Sequence, residues 1–180
     1  MGAIAGAPVR ILMVCHGNIC RSTMAEYVMR HLVEQRGLSE EVLVDSAATS
    51  REALGCLPHG GTRRVLARHG IPCGSHRSRQ MTKGDYARYD LICGMDQENL
   101  AGMYRILAGE TGHGWSWAPV SAAFARRADP AGKVHLLLDW TARPRDIADP
   151  WYTDDFDATY RDVVAGCEAL LAHLCGEAGR

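Results

Sequence analysis

Cys15 and Arg21 stand six positions apart in VRILMVCHGNICRS, residues 9 to 22, as a nucleophile and an anion clamp joined by a short turn. A cysteine attacks as its thiolate, and the planar fork of an arginine holds two oxygens of a phosphoryl group, which lysine cannot reproduce. The residues between them are His16, Gly17, Asn18, Ile19 and Cys20, with turn formers at Gly17 and Asn18. Successive backbone N–H groups in such a turn can cradle the remaining oxygens. Ser22 places a hydroxyl directly after the arginine. The chemistry of these residue types at this spacing is that of a phosphate held against a sulfur.

Spacing alone does not establish this, because the chain contains Cys, five residues, Arg twice. Cys73 to Arg79 (CGSHRSR) also fits, but it follows HGIP with no apolar run before it, and Gln80 follows its arginine. It reads as a loop with a buried or idle cysteine. The first copy has the right surroundings. Val9 and Ile11 to Val14 form a short apolar run expected of a strand buried on both faces of a parallel sheet. Cys15 then lies at the strand's carboxyl end, where open α/β sheets bind ligands. Beyond Ser22, the residues Met24, Ala25, Val28, Met29, Leu32 and Val33 form one helical stripe, and Gly37 ends it. The loop thus opens into a helix N-terminus, whose N–H groups and dipole favour an anion.

The remaining elements follow from the same patterns. Strands are expected over residues 41–45, 90–96 and 133–140. Helices are expected over 60–70, after the third strand through Leu107, and along the stripe Phe156, Tyr160, Val163, Val164, Cys167, Leu170, Leu171 and Leu174. Alternating strands and helices imply a doubly wound parallel sheet. With 180 residues, 47% of them apolar and 23% charged, the chain is expected to form one domain over 1–180. The stretch at about 108–132 reads as an irregular excursion with a short helix, tucking Trp115 and Trp117 against the core. A formal net charge of −1 with dispersed basic residues gives no electrostatic surface for nucleic acid or anionic membrane. No secretory signal is evident, and no apolar run approaches the ~20 residues that span a bilayer. Seven cysteines, an odd number, argue for reduced thiols in the cytoplasm. No metal-ligand spacing occurs, so neither metal nor cofactor is expected.

CHGNICRS, VDSAATS, HRSRQMT, LICGMD with Asn99, and DPWY at 149–152, taken in this order, resemble the low molecular weight protein tyrosine phosphatases. The resemblance implies a flavodoxin-like four-stranded parallel sheet of order 2-1-3-4, flanked by helices. It implies hydrolysis of aryl phosphate monoesters on tyrosine-phosphorylated proteins, with inorganic phosphate released and no cofactor. Cys15 matches the nucleophile, Arg21 the phosphate clamp and Asp149 the general acid and base. Asn18, Ser22, Ser46, His76 and Asp96 match the positions that hold the phosphate loop in shape. Cys20 matches a second loop cysteine that can trap an oxidised nucleophile as a disulfide. Trp151 and Tyr152 are expected to flank the substrate ring. Glu52 stands where an aromatic wall residue is frequent, which predicts weaker aromatic selectivity or a preference for nearby basic residues.

Three other readings compete. Arsenate reductases of this fold that relay electrons through three cysteines need a resolving pair after the third strand, and no cysteine occurs from 94 to 166. Protein arginine phosphatases resemble CHGNICRS but carry threonine where this chain has Ile19. A retired phosphoprotein-binding module would have lost the nucleophile or the acid, and Cys15, Arg21 and Asp149 all remain.

Overall fold

The computed structural model describes residues 7–110 and 118–177. Four parallel strands, β1 (Val9–Cys15), β2 (Val42–Ala48), β3 (Leu91–Gly94) and β4 (Val134–Leu136), form one sheet in the order β2-β1-β3-β4. This is the order expected. β1 is central, and its side chains from Ile11 to Val14 are fully buried. Their alternation divides the core. Ile11, Met13 and Cys15 join one cluster with residues of α1 (Arg21–Gln35) and α7 (Phe156–Leu174). Leu12 and Val14 join another with Met103, Ile106 and Leu107 of α4 (Gln97–Ala108) and Ala128 of α5 (Ala122–Ala128). A continuous apolar run is therefore what a strand covered by helices on both faces requires.

The chain order strand, helix, strand places the loops that follow β1, β2 and β3 at the carboxyl edge. α1 begins there with no acidic residue in its first turn and no side-chain cap. Its end matches expectation: Gly37 adopts φ 70°, and its N–H bonds Glu34 O at 3.0 Å. α2 (Gly60–Arg68) packs beside α1 and α7, and α3 (Asp85–Arg88) is a single turn ahead of β3.

Three boundaries differ from the sequence reading. β2 does not stop at Asp45 but runs through Ser46, Ala47 and Ala48, which pair with Met13, Val14 and Cys15. β3 is four residues long, because Asp96 leaves the ladder to cap α4 by accepting from Asn99 N at 2.7 Å. The expected fourth strand, 133–140, is strand only to Leu136; Leu137–Trp140 form a turn of 3-10 helix, with Asp139 Oδ2 accepting from Leu136 N at 2.8 Å. Apolar side chains in LLDW are buried in both geometries, so periodicity could not separate them. In the excursion, α4 ends at Gly109 (φ 83°), and the short helix is α5, capped by the Ser121 hydroxyl. Trp115 and Trp117 lie outside the described residues.

Candidate active site

Cys15 ends β1, and residues 16 to 20 turn from the strand into α1. Asn18 makes this turn possible by adopting φ 55°, a left-handed conformation that asparagine tolerates better than most residues. Its backbone N–H lies 3.3 Å from Cys15 Sγ, and the Ser22 hydroxyl lies 3.0 Å from the same sulfur. Both are contacts a thiolate accepts. Asn18 Nδ2 donates to Ser22 Oγ at 2.9 Å and to Ser46 Oγ at 2.8 Å, so its side chain ties loop, helix and β2 together. Among the described residues, the amides of Gly17, Ile19, Cys20 and Arg21 donate to no protein acceptor. Unpaired amide donors on a turn that opens into a helix N-terminus are what an anion can bind.

Arg21 is buried and aimed by three partners. Nη1 donates to Asp96 Oδ2 and, at 3.1 Å, to Ile147 O, while Nη2 donates to Asp149 Oδ2 at 2.5 Å. Nε is buried and has no hydrogen-bond partner among the described residues. Burial opposes the arginine's charge, but the negative charges of Cys15, Asp96 and Asp149 outweigh it and raise its pKa. Asp149 is itself fixed as the N-cap of α6 (Pro150–Thr153), where Oδ1 accepts from Trp151 N at 3.0 Å. Pro150 occupies the first helical position, where its missing N–H costs nothing. Cys15 and Arg21, at the two ends of one loop, thus meet Asp96 and Asp149 from two further segments.

The second Cys-x5-Arg segment has a part that sequence reasoning missed. It is a loop, as expected, and Cys73 is half-buried, but the segment is not idle. Ser78 Oγ donates to Gly17 O at 2.8 Å, Arg79 N donates to Asn18 Oδ1 at 3.1 Å, and His76 Nε2 lies 3.1 Å from Asn18 O. Beneath them sits Glu26, also missed: an acid on the buried face of α1, only 4% exposed. Its carboxylate accepts from Ser46 Oγ at 2.5 Å and meets Arg30 Nη2 at 2.8 Å and His76 Nδ1 at 3.4 Å. A helix position reading AEYV gave a signal only in hindsight, as an acid within the apolar stripe.

Cys20 is buried, and burial, followed by the charges of Cys15 and Asp149, pushes its thiol up to about 12 against the weaker opposing effects of Thr62 and Arg21. It is a neutral thiol at neutral pH. All seven cysteines are free.

Two segments flank the loop. On one, Glu52 Oε2 is 3.1 Å from His16 Nε2, so the acid at this position is held by a histidine of the phosphate loop itself. On the other, Trp151 meets His59 edge-on at 5.8 Å, and His59 stacks on Phe156 at 5.0 Å. Gly61 permits that packing, since a Cβ there would lie 2.4 Å from the Phe156 ring. Tyr152 is largely exposed. His59 thus links Trp151 to Phe156. Among the described residues, no group of three or more His, Cys, Asp or Glu side chains is arranged to hold a metal, and no helix is long and apolar enough to cross a membrane.

A cysteine-centred anion cradle at the switch point of a doubly wound parallel sheet defines a class of thiol-based phosphate-handling proteins. The comparisons make the class specific. The family model described as low molecular weight phosphotyrosine protein phosphatase matches residues 10–113. The low molecular weight protein-tyrosine-phosphatase YfkJ of Bacillus subtilis is 34% identical over 170 residues, covering 92% of this chain and 96% of the relative. The human low molecular weight phosphotyrosine protein phosphatase is 38% identical over 164 residues, covering 89% of this chain and 92% of the relative. The crystal structure of YfkJ superposes with a TM-score of 0.82 at 32% identity, covering 97% of this chain and 99% of that one. The chain belongs to the low molecular weight phosphotyrosine protein phosphatase family and is an enzyme of the phosphatase class. A solved Drosophila arginine phosphatase shares the fold, with a TM-score of 0.73 at 30% identity over 91% of this chain and 96% of that one.

Proposed function

We propose that the protein, acting as one catalytic domain, removes phosphate from tyrosine-phosphorylated proteins, with Cys15 as nucleophile, Arg21 as clamp and Asp149 as general acid and base. The observation that carries the reading is the Arg21 guanidinium. Asp96 and Ile147 O hold its Nη1 corner, which leaves the edge formed by Nε and Nη2 for two phosphoryl oxygens. The other oxygen takes loop amides. When substrate enters, Nη2 exchanges Asp149 for a phosphoryl oxygen, and the released carboxylate takes up a proton from solvent and turns to the leaving oxygen.

Cys15 Sγ then attacks phosphorus. The P–O bond to the phenolic oxygen breaks as Asp149 supplies its proton, leaving a cysteinyl phosphate. Water next attacks phosphorus, Asp149 accepts its proton, and the S–P bond breaks to return the thiolate and inorganic phosphate. In a loose phosphoryl transition state the loop contributes mainly positioning and charge stabilisation. Ser46, His76 and Glu26 act through Asn18 and Ser22 to hold that geometry. His16, Gly17, Ile19 and Cys20 supply the loop backbone, while Trp151, Tyr152 and Glu52 border the substrate ring. No step here needs a metal or cofactor. A cytoplasmic location fits seven free thiols.

The test is a parallel assay of phosphotyrosine, phosphoarginine, and arsenate with a thiol reductant, using the native protein and Asp149→Asn. Phosphotyrosine is expected to be the best substrate, and Asp149→Asn to lower its turnover by about 10²-fold while the fold is retained. Faster turnover of phosphoarginine or arsenate, or an unchanged rate in Asp149→Asn, overturns the reading.

A further inference from the structure

Four large apolar side chains are exposed among the described residues: Leu54 (44%), Leu57 (46%), Trp151 (63%) and Tyr152 (85%). Exposed apolar residues scattered singly need no explanation, but a cluster of them marks an interaction surface. These four lie on the two segments that wall the phosphate loop. Trp151 and Tyr152 follow Asp149, and the leucines follow Glu52. His59, two residues after Leu57, closes the two segments against each other through its edge contact with Trp151.

The leucines are held in place. Their segment is bonded to the phosphate loop at both ends, by Ser50 N to His16 O at 3.0 Å and by His59 N to Ile19 O at 2.8 Å. Between these anchors, Gly55 N donates to Ser78 O at 2.9 Å and Ser78 N donates to Cys56 O at 3.0 Å. Ser78 is the same residue whose hydroxyl braces Gly17. A frame fixed to the catalytic loop therefore presents two leucines to solvent, and a ligand docking there loses little entropy in ordering it.

We propose that Leu54 and Leu57 form an apolar ledge beside the mouth that receives an apolar side chain of the substrate protein, within about three residues of the phosphotyrosine. The proposal rests on the phosphatase reading above. The occupant is the substrate's own flanking chain because the leucines stand on a segment bonded at both ends to the phosphate loop, and Ala53, next to Leu54, lies against that loop, 3.8 Å from where a Cβ on Gly17 would stand. His59 at the end of the same segment packs edge-on against Trp151, and an extended peptide leaving the phosphotyrosine covers about 10 Å in three residues at ~3.3 Å each. Covering a half-exposed leucine favours such a peptide by about fivefold in kcat/KM.

The experiment uses phosphotyrosine peptides in a Gly/Ala background with leucine scanned through three positions on each side, together with phenyl phosphate. The native protein is expected to favour leucine at one or more positions. The double variant Leu54→Ser/Leu57→Ser should lose most of that preference while keeping its rates on phenyl phosphate and on the plain peptide. Leu57→Gln alone should lose part of it, which keeps the test valid should the double variant fold poorly. No leucine preference in the native protein, an undiminished preference in the variants, or an equal loss on phenyl phosphate overturns the ledge. So does a concentration-dependent dimer that dissociates in the variants, since a second copy would then cover the leucines. Failure to hydrolyse any phosphotyrosine substrate defeats the underlying reading instead.

Discussion

Two segments of this chain share the pattern of a cysteine followed six residues later by an arginine, and they have opposite parts. Cys15 to Arg21 joins a buried strand to a helix, so its amides are left without backbone partners and its arginine is buried among Asp96, Asp149 and Ile147 O. Cys73 to Arg79 runs as a loop, and Arg79 spends its guanidinium on Asp85 at 3.0 Å and Tyr89 at 3.3 Å, far along the chain from the acid-bearing segment. Its His76 ring, Ser78 hydroxyl and Arg79 amide bond the first segment at Gly17 and Asn18. What makes a catalytic loop is the element on either side of it; the same letters in another setting become the brace.

Exchanging the sulfurs breaks this contrast most sharply. Cys15→Ser removes the nucleophile and is expected to lower kcat on aryl phosphates by at least about 10³-fold. Cys73→Ser, in a half-buried loop position, is expected to stay within about twofold. Steady-state kinetics with circular dichroism on both proteins checks the pair. An active Cys15→Ser protein, or a Cys73→Ser protein equally dead, would remove the distinction.

The brace predicts a smaller effect. His76→Ala deletes contacts to Asn18 O, to the Thr23 hydroxyl at 3.3 Å and to Glu26, leaving the left-handed turn at Asn18 less constrained. Turnover is expected to fall by about tenfold, with phosphate inhibition weakened in proportion, because a loop displaced by a fraction of an ångström loses positioning. A lowered melting temperature with unchanged kcat and phosphate affinity would make His76 structural only.

The central strand, α1 and α7 were legible because each has a strong local signature, a continuous apolar run or a 3.6-residue stripe, whereas the sheet order and the role of the DPWY segment came from the resemblance to the family. The half-visible features depend on tertiary partners. Glu26 reads as a surface acid until Ser46, His76 and Arg30 surround it. Ser46 to Ala48 read as a hydroxyl-rich loop, yet the β1 edge recruits them as strand. Leu137 to Trp140 read as strand because burial looks the same in a 3-10 turn. The pairing of Glu52 with His16 joins residues 36 apart, and no spacing rule announces it.

Alkylation separates the thiols by their surroundings with the mildest perturbation. Burial raises the Cys73 thiol above its ordinary value against the opposing charge of Arg63, and Cys20 lies near 12. A raised pKa leaves both neutral at pH 7, so each should react slowly with iodoacetamide. The sign follows directly: the thiolate fraction grows about tenfold per pH unit below the pKa, so labelling of Cys73 should keep climbing past pH 9, and Cys20 should lag behind it throughout. Phosphate sharpens the contrast, because it occupies the cradle around Cys15 and has no site at Cys73. At a concentration equal to its inhibition constant it should slow labelling of Cys15 by about twofold, the factor for half occupancy, and leave Cys73 unaffected. Peptide mapping by mass spectrometry reads both rates in one sample. Equal protection of the two cysteines would mean that phosphate acts on the whole protein, and the first loop would lose its claim to be the anion site.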